Sequence, residues 1–286
     1  MTSMNTIDLH LHTNFSDGKF TPEELLQKAA AAGLVTVAIT DHDNANGSRQ
    51  ARPAAARLGL ELVPGIELTT SWPGLELPPG ELDVDLLGYF IDLESPALGE
   101  LERAATADIY RRMDDCLGFL TATGCPLTRE DMLQVNPNFP SLTAAILAVQ
   151  AKGYAAEWVP GHQLVMTGWR QVRPAALHIG QAIAAIHAAG GAAVLAHPAA
   201  VAWKDSLLPE AALAELVAMG LDGLEVYHHR NDERARQQFL AQARQFGLLV
   251  SGGSDEHGWW KSRLATQPVT AEMLEALRIR AGKYRV

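Results

Sequence analysis

Apolar and polar positions form two alternating patterns in the first part of the chain. Short apolar runs at Thr6–Leu9, Val35–Thr40 and Leu60–Pro64 predict β-strands. The segments between them, Thr21–Gly33 and Ser48–Leu58, have the spacing of helices. This strand–helix–strand order predicts a mostly parallel sheet with helices packed outside it.

The first predicted helix carries explicit start and stop signals. Thr21, Pro22 and Glu24 stand where an N-cap, the first helical residue and the acidic member of a capping box are expected. Gly33 follows the helical pattern, as is common just beyond a helix C-terminus. We therefore expect a helix that begins directly after Thr21.

The last part of the chain repeats the alternation. Strands are predicted at Ala192–Ala196, Gly223–Tyr227 and Leu248–Ser251, and helices at Gln181–Ala189, Glu210–Met219 and Asp232–Phe246. Between the two parts, a long amphipathic helix is predicted at Glu100–Ala122, and prolines separate shorter helices such as Leu142–Ala151. The sequence thus predicts an α/β barrel built from residues 1–97 and 177–286, with a helical insertion at residues 98–176.

Composition and charge narrow the class of protein. The chain has 286 residues, 48% of them apolar, and a formal net charge of −10, which is globular composition and disfavours a surface for long nucleic acid. No apolar run reaches the roughly 18 residues of a membrane span, and the start lacks the features of a signal peptide. Cys116 and Cys125 have no metal-binding spacing, so we expect a cytoplasmic protein.

Histidines and carboxylates recur near the ends of the predicted strands. His10 and His12 are two residues apart on extended backbone, so their side chains share one face. Similar positions after or within later strands hold Asp17, His42, Glu67, Asp85, His197, Asp255 and His257, with Glu225 inside another strand. Strand ends converge at the mouth of a parallel barrel, and this donor set suits manganese, iron or zinc. We expect a cluster of two or three divalent ions.

Simpler explanations exist for each residue taken alone. A single His-x-His arises by chance, an aspartate after a strand often forms a turn, and Asp85 is equally compatible with a buried structural group. The shared position at one end of the barrel favours the metal cluster. The other histidines, His162, His178 and His187, are expected to be surface or core residues.

Five segments together resemble one family. They are Asp8–Gly18, Ile39–Asp43, Pro64–Glu67, Ala196–Pro198 and Gly253–His257. In order and spacing they are similar to the PHP (polymerase and histidinol phosphatase) family, in its stand-alone branch that includes nucleotide 3′,5′-bisphosphate phosphatases. The resemblance covers residues 5–94 and 178–258. It implies a distorted (β/α)7 barrel that holds two or three divalent ions, often manganese.

The resemblance also implies how the ligands divide among the ions. His10, His12, Glu67 and Asp255 would surround one ion. Glu67 would bridge to a second ion that His197 also binds, and Asp17, His42 and His257 would bind a third. Relatives have a histidine where this chain has Asp85, and a carboxylate there can still bind a hard metal.

Other departures from the family concern the substrate. Asn231 stands where relatives have a phosphate-contacting histidine, and Phe139–Leu142 replaces an Arg-Pro-His-like helix start. We expect Arg230, Asn231, Lys261 and Arg263 to bind phosphate, and His228 or His229 to act as the general acid. Trp259 and Trp260 would either stack on a base or pack against the insertion.

These features predict a metal-dependent phosphoesterase in which metal-activated hydroxide attacks phosphorus. The expected substrate is a small phosphorylated molecule, such as a nucleotide bisphosphate or the 5′ end of a short RNA. Alternatives are a cyclic sugar phosphate phosphodiesterase, an amidohydrolase-type enzyme that cleaves C–N or C–O bonds, and a non-catalytic metal-binding module. The sequence indicates no obligate protein partner and no membrane partner.

Overall fold

The computed structural model describes residues 6–72, 83–200 and 208–285. Residues 1–5, which the signal-peptide prediction includes, lie outside this part. The described strands form one curled sheet in chain order, β1 to β7. Their bounds are β1 Ile7–Leu11, β2 Thr36–Ile39, β3 Glu61–Thr70, β4 Val84–Tyr89, β5 Ala192–Leu195, β6 Gly223–Tyr227 and β7 Leu249–Gly252.

Helices connect most of these strands and cover the sheet. In the barrel they are α1 Pro22–Ala31, α2 Asn46–Leu58, α7 Ile179–Ala188, α8 Glu210–Ala218, α9 Glu233–Phe246 and α10 Ala271–Gly282, with a 3₁₀ turn at Pro198–Ala200. Between β4 and α7 lie α3 Pro96–Ala122, α4 Arg129–Val135, α5 Leu142–Ala151 and α6 Trp158–Trp169. No helix in the described ranges is both long enough and apolar enough to cross a membrane.

The sheet closes on itself beyond β7. Leu11 pairs in parallel with Glu256, and the backbone N–H of Asp255 donates to the carbonyl of His10 at 2.9 Å. Gly253 permits this approach, because a Cβ at that position would lie 2.3 Å from the His10 Cβ. The distorted (β/α)7 barrel predicted from the sequence is therefore confirmed.

One strand departs from the expected parallel arrangement. β4 runs antiparallel to both β3 and β5, whereas the other neighbouring pairs from β1 to β7 are parallel. The start of β4, rather than its end, therefore lies at the barrel mouth. This reversal brings Asp85, the second residue of β4, to the same end as the C-termini of the parallel strands.

The third strand is longer than predicted. Pro64 suggested its end, because proline cannot donate to a sheet ladder, but β3 continues to Thr70. Glu61–Pro64 pairs with β2 and Gly65–Thr70 pairs with β4, so Pro64 marks the change of partner. Glu67 is consequently inside the strand, not just past it.

The predicted start and end of the first helix, α1, are confirmed. The backbone N–H of Glu24 donates to Thr21 Oγ1 at 3.3 Å, and that of Thr21 donates to Glu24 Oε2 at 2.9 Å. These bonds form the predicted capping box of α1. Gly33 follows the C-cap with φ of 86°, a conformation that glycine adopts readily.

Helices α3 to α6 share an apolar cluster of their own, which includes Met113, Leu120, Ile146 and Val165. The α4–α5 connection contacts the barrel through Asn136 Nδ2, which donates to the Ser16 carbonyl at 2.8 Å. The insertion thus lies against the β1–α1 loop at the mouth. The division at residues 98–176 stays a prediction.

Candidate metal centre

All nine side chains predicted as metal ligands converge at the barrel mouth. Their donor atoms fall into small groups within which the atoms lie no more than 4.8 Å apart. These groups include His12, Asp17, His42 and His257; His10, His12 and Glu67; Glu67, Asp85 and His197; and His228, His229 and Asp255. Residues far apart in sequence therefore form one cluster.

Glu67 is the centre of the cluster. Its Oε2 lies 3.1 Å from His10 Nε2, 3.2 Å from His12 Nε2 and 3.5 Å from His42 Nδ1. Its Oε1 lies 3.0 Å from His197 Nε2. The carboxylate thus faces imidazoles on two sides, as a group that bridges two cations would.

Asp255 forms a second point of convergence. Its Oδ1 lies 3.3 Å from His12 Nε2, 3.6 Å from His10 Nε2 and 3.4 Å from His257 Nδ1. Together with Glu67 it places two carboxylate oxygens next to the same pair of imidazoles on β1. This arrangement matches the first ion site that the sequence resemblance implies.

Asp17 organises the outermost group. Its Oδ1 lies 3.1 Å from His257 Nε2, 3.6 Å from His12 Nδ1 and 4.0 Å from His42 Nε2. Asp17 lies in the β1–α1 loop, and a 2.7 Å hydrogen bond from Trp259 Nε1, beyond β7, to its main-chain carbonyl helps to hold it there.

Asp85 lies at the edge of the cluster. Its Oδ2 is 3.8 Å from His197 Nε2, and its main-chain carbonyl accepts a hydrogen bond from the Ala196 N–H at 3.0 Å. Burial, and then the negative charge of Glu67, raise the pKa of Asp85 to about 8. A nearby cation would remove that penalty, so the position is compatible with a ligand.

Outer contacts fix the orientation of two imidazoles. The His10 Nδ1–H donates to Glu225 Oε1 at 2.9 Å, because a carboxylate can only accept, and the His257 Nδ1–H donates to the Asp255 carbonyl at 2.9 Å. In each neutral ring this leaves the lone pair of Nε2 directed at a carboxylate. Two lone pairs repel unless a proton or a metal ion lies between them.

The charges in the cluster are strongly coupled. Burial opposes the charged form of His12, but the adjacent carboxylates of Asp255 and Glu67 outweigh it and raise its pKa to about 10. Burial likewise opposes ionisation of Asp17, yet the neighbouring His257, His42 and His12 hold its pKa below the usual range. Without metal ions, protons must therefore balance the buried carboxylates.

The donor set fits divalent cations. The His12 Nε2 and His42 Nδ1 atoms are buried and have no hydrogen-bond partner, although both lie close to Glu67 Oε2. Unpaired buried polar atoms are rare in proteins and call for an explanation. Imidazole and carboxylate donors without thiolates suit manganese, iron or zinc.

Backbone geometry at the mouth is also unusual. Asp43, His197 and Asp255 have φ of 58°, 26° and 55°, a region that residues other than glycine rarely adopt. Each follows a strand and carries a polar side chain to the mouth. Strained positions of this kind concentrate at functional sites.

The two predicted acid residues, His228 and His229, lie beside Asp255, with Arg230 and Arg263 near His229. His228 is buried, its Nδ1 accepts from the Arg230 N–H at 3.1 Å, and its Nε2 lies 3.2 Å from Asp255 Oδ2. In neutral His228 the proton is therefore on Nε2 and is donated to Asp255. Burial, and then the His228 charge, lower the pKa of His229 to about 4, with smaller effects from Arg263 and Arg230.

The four residues predicted to bind phosphate differ in their exposure to solvent. Arg230 and Lys261 are exposed. Arg263 is partly buried, and its main-chain N–H donates a hydrogen bond to the Glu256 carboxylate. Asn231 is buried, and its Nδ2 donates to the carbonyls of Glu225 and Val226 at 3.0 and 2.8 Å. The amide of Asn231 thus fixes the turn after β6, whereas the three cations have side chains available to solvent.

The tryptophan loop contacts the insertion. The rings of Trp259 and Trp260 lie 6.2 and 5.4 Å from the ring of Trp158, at the start of α6. Of the two alternatives raised by the sequence, this geometry favours packing. Trp260 nevertheless keeps 51% of its surface exposed.

The remaining histidines stay away from the cluster. His162 is exposed on α6, and His178 is the N-cap of α7. His187 Nε2–H donates to Asp222 Oδ2 at 2.9 Å, and the His187 ring stacks on Tyr284. The expectation of surface or core roles agrees with these positions.

Glu225 and Asp41 were not among the predicted site residues. Glu225 also accepts from the His197 N–H at 2.8 Å, and Asp41 accepts from Ser16 Oγ at 2.6 Å and Thr13 Oγ1 at 2.7 Å. Both carboxylates support the parts of the chain that carry predicted ligands. The sequence could have indicated both residues, because each is a carboxylate that interrupts or ends the apolar run of a predicted strand.

Comparison with known proteins gives a consistent result. A family model described as the PHP domain matches residues 8–154. The chain is 32% identical over 267 residues to a 3′,5′-nucleoside bisphosphate phosphatase from Chromobacterium violaceum, which covers 89% of this chain and 88% of that protein. It is 29% identical over 268 residues to a 5′-3′ exoribonuclease from Haemophilus influenzae, covering 88% and 91% of the two.

The fold has a close counterpart among solved structures. A crystal structure from Bifidobacterium adolescentis, assigned as a metal-dependent phosphoesterase, superposes with a TM-score of 0.83 and 28% sequence identity. The match covers 96% of each chain. The insertion and the barrel are therefore both included in the similarity.

Proposed function

The chain belongs to the PHP domain family, and from that premise we propose that it is a metal-dependent phosphoesterase acting on a small phosphorylated substrate. The observation that carries the proposal is the convergence of buried imidazoles on Glu67 and Asp255, where two nitrogens, His12 Nε2 and His42 Nδ1, lack hydrogen-bond partners. The similar proteins described above are named as a phosphatase and an exoribonuclease, both of which cleave phosphate esters.

We propose three cation positions. His10, His12, Glu67 and Asp255 would hold the first, Glu67, Asp85 and His197 the second, and Asp17, His42 and His257 the third. Divalent cations at such positions supply an activated water nucleophile near neutral pH and neutralise the oxygens of the transferred phosphoryl group. Manganese is the proposed metal, with iron and zinc as alternatives that the donor set also suits.

The surrounding residues bind the substrate phosphate. Arg230, Arg263 and Lys261 present positive charge beside the mouth, where a guanidinium can form two hydrogen bonds to a phosphate. In the hydrolysis, the water oxygen forms a bond to phosphorus and the bond from phosphorus to the leaving oxygen breaks. One proton of the water is lost to solvent, and the leaving oxygen takes up a proton.

His229 is the proposed proton donor, and His228 the residue that positions Asp255. The proton of neutral His228 is already directed at Asp255 Oδ2, whereas part of the His229 ring is exposed. The low pKa of His229 leaves it neutral at pH 7, so the role requires a nearby phosphate dianion. A negative charge at that distance favours the protonated imidazole.

We extend the proposal to the wider organisation of the protein. Residues 98–176 would act as a subdomain that shapes the substrate pocket. The free thiols of Cys116 and Cys125 support a reducing, cytoplasmic location.

Nucleotide bisphosphates and short RNA ends are the first substrates to test, because relatives are named for them.

A phosphate-release screen tests the proposed function. Protein loaded with Mn²⁺ is offered bisphosphate nucleotides, short 5′-phosphorylated RNA, cyclic sugar phosphates and simple phosphomonoesters, with amide substrates in parallel. We expect phosphate-ester turnover that His12→Ala abolishes and His187→Ala retains. Turnover of amides alone would identify an amidohydrolase, and no turnover on any substrate would indicate a non-catalytic module.

A further inference from the structure

Four consecutive main-chain carbonyls of the β1–α1 loop accept hydrogen bonds from side chains that lie outside this loop. Residues 14–17 are buried or half-buried, and carbonyls removed from water need hydrogen-bond donors. The path of the loop therefore depends on the segments that supply these donors. The four bonds run from Asn138 Nδ2 to the Asn14 carbonyl at 3.1 Å, from Asn44 Nδ2 to Phe15 at 2.9 Å, from Asn136 Nδ2 to Ser16 at 2.8 Å and from Trp259 Nε1 to Asp17 at 2.7 Å.

The donors come from both parts of the molecule. Asn44 follows β2 and Trp259 follows β7, so both belong to the barrel. Asn136 and Asn138 lie in the connection between α4 and α5, in the insertion. The loop that carries Asp17 is thus held jointly by the barrel and the insertion.

The Asn136 side chain is fixed in the orientation that donation requires. Its Oδ1 accepts a hydrogen bond from the Asn138 main-chain N–H at 3.0 Å, so Nδ2 is the atom that faces the Ser16 carbonyl. Asn136 is also the C-cap of α4, and Met132 of this helix is fully buried in the apolar cluster of the insertion. A packed element of the insertion therefore carries the donor.

Asn136 and Trp259 hold the two peptide groups on either side of the Asp17 Cα. The Ser16 carbonyl belongs to the peptide group before this atom, and the Asp17 carbonyl belongs to the one after it. Because peptide groups are planar and rigid, holding both fixes the direction in which the Asp17 side chain leaves the backbone. The 3.1 Å approach of Asp17 Oδ1 to His257 Nε2 therefore depends on one donor from the insertion and one from the barrel.

Asn138 contacts the same loop without holding either of these peptide groups. Its bond to the Asn14 carbonyl is exposed, and Asn14 lies three residues before Asp17. The bond from Asn136 is partly buried, and a buried carbonyl left without a donor costs more than an exposed one that water can reach. The two asparagines thus separate the positioning of Asp17 from the general contact between insertion and loop.

We propose that Asn136 is a positioning residue for Asp17, so that the insertion completes the outermost of the three proposed cation positions. The inference rests on the proposed metal-dependent function, and it gives the insertion a role at the metal centre besides shaping the pocket. The proposed ligands of the first and second positions lie on or close to the strands, outside residues 14–17. Loss of the Asn136 donor should therefore affect one ion and spare the other two.

Metal titration of Asn136→Leu tests the proposal. Leucine has a similar size and no donor, so the peptide group before Asp17 loses its partner. Calorimetry with Mn²⁺, together with metal content after dialysis at limiting Mn²⁺, measures the ions separately. We expect the affinity for the outermost ion to fall about 10- to 100-fold, as for other outer contacts of metal ligands, with the other two ions retained. Unchanged affinity for all ions, or an equal loss of all of them, would overturn the inference.

Asn136→Asp is a second variant that leaves the local turn intact. Aspartate keeps the acceptor for the Asn138 N–H and removes only the donor to the Ser16 carbonyl. The added negative charge would by itself attract cations, so a lower affinity for the outermost ion would come from the lost donor. Wild-type affinity in this variant would contradict the positioning role.

Asn138→Leu is the matched control. It removes the neighbouring bond between the insertion and the loop but keeps the main-chain N–H that orients Asn136. We expect all three ions to bind as in the wild type, and urea unfolding of each variant confirms that it is folded. An equal loss of the outermost ion in Asn136→Leu and Asn138→Leu would show that general docking of the insertion, rather than the bond to Ser16, controls this position.

Wild-type metal content and turnover separate this inference from the proposed function. Ester turnover with the outermost ion retained in both Asn136 variants, or with only two ions in the wild type, would refute the inference and leave the phosphoesterase function standing. Selective loss of one ion in these variants, without any ester turnover by the wild type, would refute the function and leave the positioning role in place.

Discussion

Individual imidazoles depend on acceptors outside the cluster for their orientation. Glu225 accepts from His10 Nδ1 and from the His197 N–H, so one carboxylate holds parts of two predicted ion sites. Outer acceptors of this kind fix the tautomer of a histidine ligand and raise its basicity. Glu225 thus supports two of the proposed ion positions through His10 and His197.

Replacing that carboxylate should weaken metal binding. Glu225→Gln retains the size of the side chain but presents a neutral amide to His10. We expect Mn²⁺ affinity to fall about 10- to 100-fold, as for other outer-contact substitutions. Metal titration monitored by calorimetry measures it, with Glu61→Gln, which alters an exposed pair with Arg278, as the control. Unchanged affinity would remove Glu225 from the account.

A second residue-scale prediction concerns Trp259. Its Nε1–H donates to the Asp17 carbonyl, whereas its ring packs near Trp158. Trp259→Phe keeps an aromatic ring and removes only the donor, so we expect occupancy of the outermost ion to fall severalfold.

Trp260→Phe is the matched control, because Trp260 packs on the same Trp158 ring from an exposed position. Metal content after dialysis at limiting Mn²⁺ gives the comparison. Equal losses in both variants would show that aromatic packing, rather than the hydrogen bond, positions Asp17.

The sequence indicated which side chains converge at the mouth better than it indicated which side chains support them. The positions of His10, His12 and Asp255 follow from strand ends meeting at a barrel mouth. Asp8 in β1, Asp41 after β2 and Glu225 in β6 are also buried carboxylates. Sequence spacing does not indicate which carboxylate faces an ion and which faces an imidazole. That distinction depends on side-chain geometry.

At the scale of elements, Asp222 joins three parts of the barrel at the end opposite the mouth. This buried carboxylate precedes β6 and accepts from the Ala193 N–H of β5, His187 Nε2 of α7 and Arg280 Nη1 of α10. Burial on its own would raise the pKa of Asp222, but these hydrogen bonds, led by that of His187, lower it below its usual value.

Asp222→Asn should lower the free energy of unfolding by about 2 kcal/mol, the range for hydrogen bonds to a charged group. A depressed native pKa means that the stabilisation is present above the unfolded pKa and is lost as pH falls below about 4. Urea unfolding at pH 7 and pH 3 measures both. The exposed Asp114→Asn should cost less than about 1 kcal/mol, and a pH-independent difference for Asp222→Asn would contradict the assignment.

The orientation of β4 is the main feature of the elements that the sequence did not reveal. Alternation of strands and helices predicted a mostly parallel sheet and did not indicate that β4 pairs antiparallel with β3. Asp85 lies beside the other predicted ligands although it stands at the start of a strand, because the direction of β4 is reversed.

On the scale of the whole molecule, the predicted barrel and the family assignment are confirmed. The strands lie in the sheet in the same order as in the sequence, because consecutive strands are neighbours. Such a fold can be predicted from the periodicity of apolar residues. The packing of the insertion onto the mouth could not be predicted from the sequence. Contacts such as that of Asn136 with Ser16 join residues that are far apart in the chain and carry no recognisable motif.

The most direct test is the metal content of the purified protein. Elemental analysis after Mn²⁺ loading should give about two to three divalent ions per chain, with clear losses in His12→Ala and Asp255→Ala and none in His187→Ala. Retention of the full metal content by His12→Ala and Asp255→Ala, or a wild-type protein that binds no divalent ion, would contradict the shared cation cluster.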